Sequence, residues 1–241
     1  MLDGRVIVIT HARHFVGPAT AGVLAGYGAT VVRHDAAPSG APPPEEAPHP
    51  GLRAAAATEP EALIDEVAAA HGRIDVLICN DAYPALRAPV DEAEPGALRQ
   101  ALEALVEWPY RAIGRAVPHM KAAGAGRILM VTSAAPLRGL ANYSIYATAR
   151  GAGNALVKSL SLELAPFNIQ VNAIAPNYIE NPTYFPPDLL ANETAMAKML
   201  ANIPLKRLGK PQEVAETIAF FASDRCGFVT GHVIPIAGGW A

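Results

Sequence analysis

Short apolar, β-rich runs recur along this chain and alternate with amphipathic stretches. Continuous apolar strands separated by helices are typical of a parallel sheet that is covered on both faces. We therefore predict an α/β fold, a Rossmann-like doubly wound parallel sheet flanked by helices on both faces, in a single domain over residues 1–241. The predicted strands are Val6–Ile9, Thr30–Val32, Val76–Cys79, Ile128–Val131 and Val171–Ile174.

Helix boundaries are legible at three places. Ala19 to Tyr27 reads as a helix that Gly28 terminates, and Pro211 is placed to open a late helix, where a missing amide hydrogen costs nothing. Thr58 and Glu61 fit a capping box at the start of a third helix.

Residues 36–50 contain six prolines, at positions 38, 42, 43, 44, 48 and 50. A doubly wound fold would place its second helix here, but this composition cannot sustain one. Because strands are predicted on both sides, we expect an extended surface loop rather than a linker between domains.

Composition excludes several classes of function. The net charge is -3 and no basic stripe is present to neutralise phosphates, which argues against nucleic-acid binding. Cys79 and Cys226 match no metal-ligand spacing, so we expect reduced cysteines and no metal. The start lacks the features of a signal peptide, and no apolar run approaches the ~18 residues of a membrane span. We predict a cytoplasmic protein that contacts no membrane.

The segment after the first strand, residues 10–17, is here called the first loop. In a dinucleotide-binding βαβ unit, glycines at this point let the backbone approach the pyrophosphate. Only Gly17 remains of that set, and His11, Arg13, His14 and Phe15 occupy the space. We predict that no nicotinamide cofactor binds, although the basic cluster leaves phosphate binding open as an alternative. Asp35 stands where such folds hold a ribose, but without the glycines we expect it to cap a turn.

Three residues form a candidate catalytic set. Ser133 follows the strand Ile128–Val131, at the sheet edge where open α/β folds bind ligands. Tyr146 and Arg150 follow inside a predicted helix, and the i, i+4 spacing puts them on one face. A guanidinium beside a phenol favours the phenolate, and Ser133 could donate to an oxygen held between them. In isolation, Tyr146 could equally be a core aromatic residue and Arg150 a solvated helix residue.

These residues resemble the short-chain dehydrogenase/reductase superfamily over nearly the whole chain. The shared features are Asn80-Asp81-Ala82 after a strand, Ser133, the Tyr-x-x-x-basic motif at Tyr146, Pro176, and Gly238-Gly239 near the end. The redox enzymes carry lysine where this chain has Arg150, and they keep the glycine loop. Together the two departures resemble the halohydrin dehalogenases, in which Ser-Tyr-Arg does acid–base work and a halide takes the place of the nicotinamide.

Further segments resemble that family specifically. They are Thr10–Phe15, Asn80-Asp81, Pro176–Tyr178, Asn181–Pro186, Leu205–Gly209 and Ala237–Trp240. The resemblance assigns halide binding to Phe15, Pro176, Asn177, Tyr178 and Ile179, within a substrate and halide loop over residues 176–195. The Tyr178 and Ile179 amides can form an anion-binding concavity, with Phe15 and Tyr178 as dry walls. Tyr184 and Phe185 are candidate substrate-pocket residues, with simple loop packing as the alternative.

The resemblance implies a cofactor-independent halohydrin dehalogenase that converts vicinal halohydrins to epoxides and halide. It also implies epoxide opening by halide, azide, cyanide or nitrite. The alternatives are an NAD(P)-dependent oxidoreductase and a non-catalytic binding or regulatory protein.

The superfamily generally pairs the helices that follow its fourth and fifth strands, which implies a homotetramer built as a dimer of dimers. The apolar positions available for this pairing are Leu98, Leu102, Leu105, Leu156, Leu160 and Leu164. The chain stops at Ala241, so we expect it to lack the longer tail that reaches a neighbouring active site in some relatives.

Overall fold

The computed structural model describes residues 1–35 and 49–241. Seven parallel strands form one sheet in the order β3-β2-β1-β4-β5-β6-β7. The strands are β1 (Val6–Ile9), β2 (Thr30–Arg33), β3 (Leu52–Ala54), β4 (Val76–Cys79), β5 (Gly126–Val131), β6 (Ile169–Pro176) and β7 (Val233–Ile236).

Nine α-helices connect these strands in the described part of the chain. They are α1 (Gly17–Gly26), α2 (Pro60–His71), α3 (Pro95–Leu102), α4 (Trp108–Ala123), α5 (Ala135–Arg138), α6 (Ser144–Leu164), α7 (Pro187–Ala191), α8 (Glu193–Ala201) and α9 (Pro211–Ala222). A π-helical turn over Glu103–Glu107 joins α3 to α4.

The helices cover both faces of the sheet, which confirms the predicted doubly wound fold. One core packs α2, α4 and α6 against the sheet through residues such as Ile64, Ile113 and Val157. The other packs α1 and α9 against the opposite face, through Leu24 and Ile218. Because both faces are buried, β1 and β4 consist entirely of buried apolar residues, as the sequence pattern predicted.

Two helix starts differ from the predictions. Helix α1 begins at Gly17, two residues before Ala19, because Gly17 and Pro18 already enter its first turn. The prediction of a capping box at Thr58 is wrong. Glu59 is the N-cap of α2 without a side-chain cap, and the Glu61 carboxylate instead accepts two hydrogen bonds from Arg111 at 2.8 and 2.7 Å.

Pro211 opens α9 as predicted. The predicted proline-rich loop lies outside the described residues except for His49 and Pro50. No helix in the described ranges is both long and apolar enough to cross a membrane.

Candidate active site

Ser133 lies directly beyond β5, at the edge of the sheet where the strands end. It is buried, and its Oγ accepts a hydrogen bond from the Ala135 amide at 3.1 Å as α5 begins. This contact uses an oxygen lone pair and fixes the side chain at the start of that helix. No described residue accepts the Ser133 hydroxyl hydrogen, so it remains available to a bound oxygen.

Tyr146 and Arg150 share one face of α6. The Arg150 Cζ lies 5.4 Å from the centroid of the Tyr146 ring, and its Nη1 donates to the Val131 carbonyl at 2.9 Å. The buried Arg150 Nε has no partner among the described residues. The guanidinium is therefore anchored on β5 with its positive charge beside the phenol, and it keeps a buried donor unused.

The turn over residues 176–179 lines the same cavity as Ser133 and Tyr146. Tyr178 takes a left-handed backbone conformation, with φ of 56°, and its amide donates to the Asn177 Oδ1 at 2.9 Å. This differs from the expected two-amide concavity, because Asn177 already engages one of the two donors. Only the Ile179 amide has no partner among the described residues.

Aromatic side chains shape the wall around the 176–179 turn. The Tyr178 ring packs edge-on against Trp240 at 5.8 Å, and burial raises the pKa of the Tyr178 phenol. Burial also raises the pKa of Tyr184, with the neighbouring Tyr146 phenol adding to the shift. Phe185 is buried in a small cluster with Ile203 and Leu208, whereas Tyr184 is 41% exposed at the rim. Of this predicted pair, Tyr184 is thus the side chain at the cavity mouth.

A cavity of about 300 Å³ brings nine of the ten predicted site residues together. They are Phe15, Ser133, Tyr146, Pro176, Asn177, Tyr178, Ile179, Tyr184 and Phe185. Arg150 is not in the lining but stacks on Tyr146, which is.

Five further lining residues were not named as site residues from the sequence, although Asn181 lies in the predicted loop over residues 176–195; they are Ala85, Ala135, Leu140, Tyr143 and Asn181. Tyr143 could have been found, because it lies only three residues before Tyr146, at the N-cap of α6. The Asn181 side chain accepts from the Tyr184 amide at 2.9 Å and holds the rim turn.

The first loop is closed by its own hydrogen bonds. The His14 amide donates to the His11 carbonyl, and the Gly17 amide donates to the His14 carbonyl. The Arg13 amide donates at 2.9 Å to the carboxylate of Asp35, which caps this turn as expected. In dinucleotide-binding loops such amides face the pyrophosphate. Here the amides of Arg13, His14 and Gly17 are engaged, and the Asp35 carboxylate would repel phosphate, so these residues do not fit a nicotinamide dinucleotide.

Side chains fill the space behind the first loop. His11 pairs with Asp81 at 2.9 Å between Nδ1 and Oδ1, and its ring packs 5.6 Å from Trp108. His34 lies 4.9 Å from the same indole, and burial lowers the pKa of its imidazole. Asn80 donates to the carbonyls of the loop at His11 and His14. These contacts give His11 and Asp81 structural partners rather than a phosphate.

The sequence analysis also predicted that the protein holds no metal ion. Within residues 1–35 and 49–241, no group of three or more His, Cys, Asp and Glu side chains is arranged to hold a metal ion. Cys79 and Cys226 are both buried and free.

Comparison with known proteins gives two kinds of relative. The profile of a family described as Enoyl-(Acyl carrier protein) reductase matches residues 12–241. A cis-4-hydroxycyclohexanecarboxylate dehydrogenase of Sinomonas cyclohexanicum is 36% identical over 245 residues, covering 98% of this chain and 96% of its own.

Two similar solved structures are of another kind. A structure described as a dehalogenation enzyme is 49% identical, covers all of both chains and has a TM-score of 0.92. A halohydrin dehalogenase bound to ethyl (2S)-oxiran-2-ylacetate is 32% identical, with a TM-score of 0.88, over 97% of this chain and 96% of that chain.

Proposed function

This chain belongs to the short-chain dehydrogenase/reductase superfamily, and we propose that within it the protein is a cofactor-independent halohydrin dehalogenase. One observation carries the proposal: a single cavity is lined both by Ser133 and Tyr146 and by the 176–179 turn. An acid–base pair opposite an anion-binding turn is what displacement of a halide by a neighbouring hydroxyl requires. The closed first loop and the two dehalogenase structures support the same function.

Ring closure follows from the positions of three side chains. Ser133 donates to the hydroxyl oxygen of a vicinal halohydrin and holds it near Tyr146. Tyr146, with the Arg150 guanidinium held against its ring, is the base that takes the hydroxyl proton. The oxygen then attacks the neighbouring carbon from the side opposite the halogen. The new C–O bond forms while the C–halogen bond breaks, and the halide leaves with the bonding electron pair.

The leaving halide would enter the space between the 176–179 turn and Phe15. The free Ile179 amide is a hydrogen-bond donor there, and the aromatic rings of Phe15 and Tyr178 limit access of water. An anion bonded to a fixed backbone donor in a dry pocket is stabilised more than in bulk water. In reverse, Tyr146 protonates the epoxide oxygen while halide, azide, cyanide or nitrite opens the ring. Ethyl (2S)-oxiran-2-ylacetate in the related structure is itself an epoxide.

The direct test is bromide release from 2-bromo-1-phenylethanol by the purified protein with no cofactor added. The expected result is bromide and styrene oxide in equal amounts. Tyr146→Phe is the control for chemistry at the proposed base. Absence of bromide release by the folded wild-type protein from a panel of vicinal bromohydrins would refute the proposal.

An NAD(P)-dependent oxidoreductase is the second candidate, because the family profile and the dehydrogenase relative both point to redox chemistry. Calorimetric titration with NAD(H) and NADP(H) separates the two candidates. The dehalogenase proposal expects no saturable heat at millimolar nucleotide. A micromolar dissociation constant would favour the oxidoreductase.

We further propose a homotetramer that pairs the exposed faces of α4 and α6. Leu105, Leu160 and Leu164 are buried in the protomer itself, so the expectation that they form the interface is wrong. Tyr110 on α4 and Leu162 on α6 are exposed by 57% and 80%, and they offer the apolar surface instead. Light scattering should give four subunits, and Leu162→Asp should lower that number. A wild-type monomer at micromolar concentration would contradict the proposal.

A further inference from the structure

Arg138 is the last residue of α5, and the mechanism above does not use its positive charge. Its Nη1 donates to the Trp240 carbonyl at 3.0 Å, and its Cζ lies 4.9 Å from the centroid of the Trp240 ring. None of the ion pairs within the described ranges involves Arg138. The guanidinium is therefore held in place by a carbonyl and an aromatic face, neither of which neutralises its charge.

Trp240 connects this charge to the cavity wall. The indole is 7% exposed and packs with Ala134 and Ala237. Its ring meets the Tyr178 ring at 5.8 Å and 75°, and Tyr178 lines the cavity. A chain of contacts thus runs from Arg138 through Trp240 to the 176–179 turn.

The positive charge of Arg138 also acts on the Tyr178 phenol. Burial is the larger effect and raises the pKa of the Tyr178 phenol, while the Arg138 charge partly opposes that rise. A positive charge that stabilises a phenolate at this position would also stabilise a small anion beside the same ring.

We propose that Arg138, held by Trp240, sets the affinity of the 176–179 turn for small monovalent anions such as bromide, chloride and azide. This inference rests on the proposed dehalogenase function and adds a residue that tunes its anion site. Arg138 touches no reacting atom in this arrangement, so it is a positioning residue and not a catalytic one. Its charge favours uptake of the attacking anion during epoxide opening and slows loss of the halide after ring closure.

The test compares wild type with Arg138→Met, which removes the charge but keeps the length of the side chain. Because exposed charge interactions contribute little, we expect bromide to bind about two- to fivefold more weakly to this variant. Chloride and bromide NMR line broadening and the inhibition of ring closure by bromide measure the affinity. In azide-driven opening of styrene oxide, KM for azide should rise by a similar factor while kcat is unchanged. A merely structural role would lower kcat or stability and leave KM for azide alone.

Two controls sharpen the test. Arg138→Lys keeps the charge and should recover most of the affinity, although it loses the planar stacking on Trp240. Arg99→Met removes the same charge from the exposed surface of α3 and should leave bromide affinity unchanged.

If Arg138→Met folds poorly, Arg138→Gln replaces it. Raising ionic strength with sodium gluconate should also weaken bromide binding by wild type more than by the uncharged variant, because salt screens an exposed charge.

The outcomes separate the two proposals. Wild-type protein that neither releases bromide from bromohydrins nor broadens the halide signal refutes the dehalogenase function. Wild-type protein that does both, with the uncharged Arg138 variant binding bromide equally well, refutes this inference alone. A twofold or greater loss in that variant that lysine reverses supports it.

Discussion

The first loop and the 176–179 turn occupy equivalent places at the carboxyl edge of the sheet, one after β1 and the other after β6. Both bend through non-glycine residues with positive φ, at 45° for His11, 52° for Phe15 and 56° for Tyr178. In the first loop the amides of Arg13, His14 and Gly17 are bonded to Asp35 or within the loop. In the turn the Ile179 amide has no partner among the described residues, and Ile179 lines the cavity.

This difference teaches that the fold alone does not decide where a ligand binds. Both segments offer the same strand-to-loop geometry, which α/β proteins use for ligands. The first loop is closed because the Asp35 carboxylate accepts from the Arg13 amide and the rings of His11 and His34 pack behind it. The other stays open because its aromatic side chains line the space instead of filling it.

The largest expected effect on turnover is at Tyr146, which lines the cavity beside the 176–179 turn. Tyr146→Phe removes the ionisable oxygen and keeps the ring that stacks on Arg150. A positioned acid–base group contributes about 10²–10⁴-fold in rate, so bromide release should fall by at least 10²-fold. The measurement is initial bromide release from a bromohydrin, with circular dichroism to verify folding. Near-wild-type turnover from a folded variant would place the base elsewhere.

Arg150 should show a smaller, graded effect. Arg150→Lys keeps a positive charge but cannot reproduce the fork that reaches the Val131 carbonyl, so turnover should fall moderately. Arg150→Ala removes both charge and anchor and should cost roughly tenfold more than the lysine variant. The same bromide assay ranks the three proteins. Equal turnover of the lysine and alanine variants would show that the charge is unimportant.

In the first loop, the expected effect of a substitution is on the free energy of unfolding. A Cβ at Gly17 would overlap the Ala12 carbonyl oxygen, so Gly17→Ala must push α1 away from the first loop. Such overpacking typically costs about 1–3 kcal/mol, measurable by urea unfolding. Gly22→Ala is the matched control on the same helix, where an added Cβ meets nothing within 4 Å. It should be neutral or stabilise the helix by up to about 1 kcal/mol. Equal stability of the two variants would mean that the loop is not tightly packed.

The sequence predicted the centre of the sheet better than its edges. Strands such as β1 and β4 are buried on both faces and therefore read as continuous apolar runs. The edge strands β3 and β7 were missed because they are only partly buried, and β7 contains Pro235, which argues against a strand.

The candidate site was predictable where it depends on spacing and not where it depends on rotamers. Helical periodicity placed Tyr146 and Arg150 together, and strand ends placed Ser133 near them. The bond between the Asn177 side chain and the Tyr178 amide depends on one side-chain torsion, and no residue pattern encodes it. The stack of Arg138 on Trp240 joins residues 102 positions apart, which only the folded chain reveals.

The smallest expected effect is a pH dependence of stability that originates at His34, which packs against His11 of the first loop. His34 is fully buried, and its Nε2 lies 3.0 Å from the Thr58 carbonyl. Burial lowers the pKa of its imidazole below the ordinary value of 6.5, and the nearby His11 adds to that shift. The Thr58 carbonyl and the carboxylates of Asp35 and Asp81 oppose it. The folded protein therefore keeps this imidazole neutral at pH values where the unfolded chain protonates it.

The sign of the effect follows from proton binding. Below about pH 6.5 the unfolded chain binds more protons at His34 than the folded protein does, so stability is lost as the pH falls through this range. Above that pH both states are neutral and the loss is absent. His34→Gln removes the titration, so its free energy of unfolding should fall less between pH 7.5 and pH 5 than that of wild type, as measured by urea unfolding. A variant that loses as much stability as wild type across this range would show that the closed region titrates through another group.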